Sequence, residues 1–166
     1  MKENIKLTKK EYGKIVSDLI IVCTDKYEEL IKELEKNGYI LGISEYVYYL
    51  IYLLFIAKSI VKQKYNDEDT EIIINEARER LCKYLDESEF VKYDIADELF
   101  DKTLNKIYSF EIDVFMMIDL HKLVILFERD CNIDNNINND KLIYNNFMLF
   151  IVSQPKTLLN EHITIV

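Results

Sequence analysis

The sequence predicts an all-α, single-domain bundle of five or six helices over residues 1–166, and three observations carry that prediction. Hydrophobic residues make up 49% of the chain and charged residues 31%, a globular balance rather than a disordered one. Only three Gly and one Pro occur, far fewer than a turn-rich all-β fold needs. Apolar residues recur at spacings of three and four through most of the chain, the period of one helix face. The length of 166 residues suffices to bury a substantial core without staples.

The first helix opens at a capping box, Thr8 with Glu11, flanked by Leu7 and Tyr12 at hydrophobic-staple positions. Tyr12, Val16, Leu19, Cys23, Tyr27, Leu30 and Leu34 then line one face up to Asn37-Gly38, where Gly38 can take the left-handed conformation. That pattern predicts one rod of roughly 28 residues, about 42 Å long. Ser44 is the expected cap of a second helix running to about Lys64, apolar all round and so the most buried. Its run YVYYLIYLLFIA, between Glu45 and Lys58, falls short of the roughly 20 residues of a membrane span. Tyr39, Tyr46, Tyr48, Tyr49 and Tyr52 also suit a protein interior or interface better than a bilayer centre.

A third, two-faced helix starts at Asp67, with Ile73, Ala77, Leu81, Tyr84 and Leu85 as its apolar stripe. Asp94 is the expected cap of a fourth, with Leu99, Phe100, Leu104, Ile107 and Tyr108 inward and Asp97, Glu98 and Asp101 outward. A break is expected at Ser109-Phe110-Glu111. A mostly apolar fifth helix then runs from Ile112 to Asp130 beside the second. After the Asn-rich loop NIDNNINND, Asp140 is the expected cap of a sixth helix reaching Val152. Pro155 ends or redirects it, and the remainder is either a last helical turn or an extended tail. The second and fifth helices should be the most buried. No fixed-period repeat and no linker to a second domain is visible.

Charge is the most polarised property of the chain. Residues 67–101 hold 13 Asp and Glu against four Lys and Arg, which equals the whole formal net charge of -9. Asp67, Glu68, Asp69, Glu71, Asp86, Glu87, Glu89, Asp94, Asp97, Glu98 and Asp101 are candidates for one negative surface that attracts a basic partner protein and repels nucleic acid and anionic lipid. Amphipathic helices also place charges outward for solubility alone, and Arg78, Arg80, Lys83 and Lys92 interrupt the field.

Other chemistry finds little support. Cys23, Cys82 and Cys131 are odd in number, widely spaced and free of CxxC pairing. This, with an N-terminus (MKENIKLTKKEYGK) that does not lead directly into a signal core, predicts a reduced, cytoplasmic protein. The segment DCNIDNNINNDK places Asp130, Asn132 and Asp134 at calcium-loop positions one, three and five. It has Asn135 where the EF-hand turn wants Gly and Lys141 where it wants a bidentate Glu, so an Asn-rich turn is the expectation. No Glu-x-x-His pair precedes His121 or His162, isolated Gly13, Gly38 and Gly42 cannot form a phosphate loop, and a pI of about 4.8 argues against nucleic acid.

The expected function is therefore a non-catalytic protein that binds another protein, of the kind of small bacterial or phage inhibitors and immunity proteins. No cofactor or metal is implied. An alternative is an enzyme or small-ligand or metal sensor with a polar site inside the bundle, around Asp113, Asp119 and His121. A third reading is a homo-oligomer meeting through tyrosines of the second helix.

Overall fold

The computed structural model describes residues 4–166. In chain order its elements are β1 (Ile5–Leu7), α1 (Lys9–Ile21), α2 (Thr24–Lys36), α3 (Ile43–Val61), α4 (Asp67–Glu87), α5 (Tyr93–Tyr108), α6 (Met117–Asp130), α7 (Ile137–Ser153), the single turn α8 (Pro155–Leu158) and β2 (Ile163–Ile165). The helical bundle is the one expected, with its first rod divided in two.

The capping box at Thr8 forms as the sequence requires. The Thr8 hydroxyl accepts from the Glu11 amide at 3.2 Å, and the Glu11 carboxylate accepts from the Thr8 amide at 2.7 Å. The rod it starts does not continue to Asn37. It breaks at Val22-Cys23, where the Thr24 hydroxyl donates to the Ile21 carbonyl at 2.7 Å and Cys23 Sγ donates to the Leu19 carbonyl at 3.2 Å. Such local side-chain bonds offer the backbone an alternative to the helical ladder. The gain is tertiary, because α1 can then pack along α4 while α2 turns away to pack along α7.

Helix α3 is the centre of the molecule. Thirteen of its nineteen residues are buried, and it touches α1, α4, α5, α6, α7 and α8. It is also the helix, among the described residues, that is long and apolar enough to cross a membrane; most of its surface is covered by its neighbours. Helix α6, with six buried residues of fourteen, is next in burial. The two meet α7 in an aromatic cluster. Tyr52 and Phe127 have ring centroids 5.2 Å apart, and Phe127 and Phe147 5.4 Å. Its buried hydroxyls are satisfied, Tyr49 donating to Asn146 at 2.6 Å and Tyr52 to Asp130 at 2.7 Å, as buried phenols require.

Four boundaries differ from expectation, each for a local reason. Gly42, not Ser44, is the N-cap of α3, with the Glu45 carboxylate accepting from its amide at 2.7 Å. Lys92 precedes α5, and Asp94 sits in its first turn, where a carboxylate favours the helix dipole. Asn136 caps α7, accepting from the Asn138 and Asn139 amides at 3.1 and 3.0 Å, which leaves Asp140 inside the first turn. Helix α6 starts at Met117 rather than Ile112. Asp119 accepts from the Asp113 amide at 2.9 Å and Asp113 from the Phe115 amide at 3.0 Å, so the preceding turn is tied in a non-helical path. The break after α5 is real, and Glu111 there has a φ of +49°.

The tail carries a feature with no counterpart in the sequence pattern. Pro155 redirects the chain as the first residue of α8, and β2 then pairs parallel with β1, Ile5 opposite Ile163 and Leu7 opposite Ile165. Lys64 donates to the Asn160 and Ile163 carbonyls at 2.7 and 2.8 Å, and Tyr12 donates to the Leu158 carbonyl.

Candidate functional site

The eleven carboxylates of the predicted acidic surface do not form one wall. Five are engaged by the protein's own cations. Asp67 meets Lys62 at 3.3 Å, Asp69 meets Lys9 at 2.5 Å, and Glu71 pairs with Lys58. Asp97 and Asp101 share Arg78 at 2.7 and 3.4 Å. Burial disfavours charge on Arg78, but these two carboxylates outweigh it and raise its pKa. Glu68, Asp86, Glu87, Glu89, Asp94 and Glu98 make no ion pair among the described residues. Glu68 stands at the start of α4, about 30 Å along that helix from Glu87. Asp86, Glu87, Glu89 and Asp94 stand at the turn from α4 to α5, and Glu98 in the second turn of α5. The predicted surface is thus neutralised in two places, at the start of α4 and where Arg78 meets α5, and its unpaired carboxylates other than Glu68 lie at and just beyond the α4–α5 turn.

Beside that turn lies an apolar groove of about 310 Å³, lined by Thr24, Tyr27, Glu28, Ile31, Leu41, Gly42, Ile43, Tyr46, Tyr84 and Phe90. Phe90 comes from the α4–α5 turn itself, directly after Glu89, which adopts a φ of +58°. Phe90 packs edge-on against Tyr46 and Tyr84 at centroid distances of 6.0 and 6.4 Å. Under it runs a chain of hydroxyls, Thr24 to Tyr46 at 2.9 Å and Tyr46 to Tyr84 at 3.2 Å. The break between α1 and α2 is what delivers Thr24 here. Burial pushes the Tyr27 and Tyr46 hydroxyls well above the ordinary phenol range, so both stay protonated. An apolar centre with a charged rim is the anatomy of a protein-binding patch.

The polar residues considered for an interior site do not converge inside the bundle. Asp113 and Asp119 tie the turn before α6, and the Asp113 amide, then Lys122, hold the Asp119 carboxyl below its ordinary pKa. His121 is exposed and stacks on Tyr144 with centroids 4.7 Å apart. Calcium-loop positions also diverge. Asp130 accepts from Tyr52 and Lys106, and Asp134 accepts from Tyr39 at 2.9 Å. No three His, Cys, Asp or Glu side chains are placed to hold a metal ion among the described residues. Burial pushes all three thiols up, Cys82 to about 12, which leaves them poor nucleophiles at neutral pH.

Two further features escaped the sequence pattern. The segment from Phe110 to Ile118 exposes Phe110 at the expected break, and also Phe115, Met116, Met117 (68% exposed) and Ile118 (73%), which were expected in the mostly apolar fifth helix. The Ser109-Phe110-Glu111 break, read together with the two aspartates, was the available signal. A cleft of about 360 Å³ opens between α3, α5 and α6, with Tyr48, Leu99, Lys102, Thr103, Lys106 and Asp130 on its walls. Comparison with known protein families, curated proteins and solved structures finds no match.

Proposed function

We propose that this chain is a non-catalytic helical protein that works in the cytoplasm by capturing a basic partner protein, in the manner of small bacterial or phage inhibitors and immunity proteins. One observation supports the reading: an aromatic groove with Glu28 on its wall takes Phe90 from the α4–α5 turn, whose carboxylates make no ion pair among the described residues. An apolar or aromatic side chain of the partner seats between Tyr46, Tyr84 and Phe90. Its lysines and arginines meet Glu28, Asp86, Glu87, Glu89 and Asp94. Buried anchors supply most of the affinity of such contacts, while complementary charge speeds and selects the encounter. The same negative field opposes direct binding of nucleic acid or an anionic membrane.

The test is affinity capture from the native host with mass-spectrometric identification, repeated with Phe90→Ala and with Asp86, Glu87 and Glu89 changed to Lys. The expected result is one basic protein retained by the parent and lost by both variants, with helicity by circular dichroism unchanged. Retention of the same partner by both variants removes this surface from the function.

A second reading, a small-ligand sensor or enzyme, draws support from the cleft holding Lys102, Lys106, Thr103 and Asp130. Lys102 beside the Thr103 hydroxyl suits a small anion, while Lys106 is paired with Asp130. Thermal-shift screening of anionic metabolites against the parent and Lys102→Ala separates it from the first reading.

A further inference from the structure

The aromatic groove beside the α4–α5 turn has chemistry that the seating of an apolar side chain leaves unused. Phe90 stands nearly perpendicular to both Tyr46 and Tyr84, at interplanar angles of 89° and 78°, so the three rings form a right-angled corner. Tyr27 leans on Tyr46, with centroids 5.0 Å apart. The hydroxyls of these walls are spent within the protein. Thr24 gives its proton to the Ile21 carbonyl at 2.7 Å. That leaves Tyr46 as donor to Thr24 at 2.9 Å and Tyr84 as donor to Tyr46 at 3.2 Å. Tyr27 donates to the Gly42 carbonyl at 3.3 Å. Each hydroxyl has a single proton, so no side chain on the walls retains a donor for a ligand.

Charge favours the same kind of occupant. Among the described residues, Glu28 is the one charged side chain lining the groove, and it is exposed and in no ion pair. The positive end of α3 is covered by the Glu45 carboxylate, which accepts from the Gly42 amide at 2.7 Å. Lys32 and Lys83, sequence neighbours of Ile31 and Tyr84, are not on the walls. Ring faces attract a cation that sits within about 6 Å of their centroids. Ring faces and a carboxylate, without donors, reject an anion. They also serve a primary ammonium poorly, because its N–H groups lose water and find few acceptors. A quaternary ammonium has no N–H to satisfy, and its methyl surface is apolar.

We propose that the groove binds a small quaternary ammonium cation of the choline class, its methyl groups against Tyr46, Tyr84 and Phe90 and its charge toward Glu28. A ligand of so few atoms binds with a dissociation constant of about 1 mM.

Choline is the probe, titrated into the full chain at constant ionic strength and followed by proton NMR. Its trimethylammonium line should move upfield and saturate, because the methyl groups lie over ring faces. Two relatives should each bind about tenfold more weakly: the uncharged alcohol in which carbon replaces the choline nitrogen, and ethanolamine, which lacks the methyl groups. Phe90→Ala should weaken choline about tenfold and Glu28→Gln about threefold. Both residues are exposed, and helicity by circular dichroism should be unchanged. No saturable shift at tens of millimolar choline, equal binding of the uncharged alcohol, or a shift that survives Phe90→Ala overturns the site. A trimethyllysine peptide bound far more tightly than choline overturns its assignment to a small molecule. Choline binding is read without any partner, so its failure leaves the capture of a basic protein to be judged by its own variants.

Discussion

Gly13 of α1 and Glu76 of α4 stand so close that a methyl group on Gly13 would lie 2.7 Å from Glu76 Cβ, and equally 2.7 Å from the Ile73 carbonyl oxygen. Backbone carbonyls do not yield, so α1 and α4 can approach this closely only while residue 13 has no side chain. Gly13→Ala should therefore destabilise the fold despite the better helix propensity of alanine. Overpacking costs about 1–3 kcal/mol, and propensity returns about 1 kcal/mol. Urea unfolding should show a net loss, larger again for Gly13→Val. A raised midpoint for Gly13→Ala would show that α1 and α4 are not packed as described.

Burial first, and then the approach of Asp140, raises the Glu128 pKa from 4.5 to about 9. The folded protein thus keeps a proton that the unfolded chain releases. The stabilisation is complete below about pH 4.5 and is lost progressively as pH climbs to about 9. Glu128→Gln should gain stability over the parent by a margin that widens with pH across that window. The slope is at most about 1.4 kcal/mol per pH unit. Parallel stability profiles would mean that Glu128 does not titrate as its surroundings dictate.

Arg78 joins α4 to α5 through a fork, with Nε and Nη2 donating to Asp97 at 2.9 and 2.7 Å and Nη2 also reaching the Asp97 carbonyl at 3.0 Å. Lysine has one head and cannot reproduce it. Arg78→Lys should cost about 0.5–1 kcal/mol, and the difference should shrink in high salt because Asp97 is partly exposed. A loss that is independent of salt would point to packing of the arginine stem instead.

Removing residues 160–166 deletes β2, the buried Ile163 side chain and the carbonyls that hold Lys64. The expected cost is about 2–3 kcal/mol, chiefly from Ile163. Amide exchange at Ile5–Leu7 should accelerate, while α3 stays protected. Unchanged exchange in β1 would show that the parallel pair contributes nothing.

Much of this molecule is set by local chemistry and is legible without its structure. The capping box at Thr8, the left-handed stop at Gly38 (φ +91°), the carboxylate-rich start of α4 and the turning of the chain at Pro155 all depend on residues within a few positions of one another. Burial of α3 follows from its all-round apolar pattern, since no face of it can be given to water. A continuous apolar stripe cannot tell a straight rod from two shorter helices on different neighbours, so Leu19 to Tyr27 concealed the bend that places Thr24 beneath Tyr46. Charge counted along the chain is equally blind to pairing. Asp97 and Glu98 are adjacent in sequence, yet Arg78 claims one and leaves the other free, because helix phase and the packing of α4 on α5 decide which carboxylate meets a cation. Residues 5 and 163 pair only once the intervening helices are in place. Contacts that span the whole chain are products of three-dimensional packing, and periodicity within a short window holds no record of them.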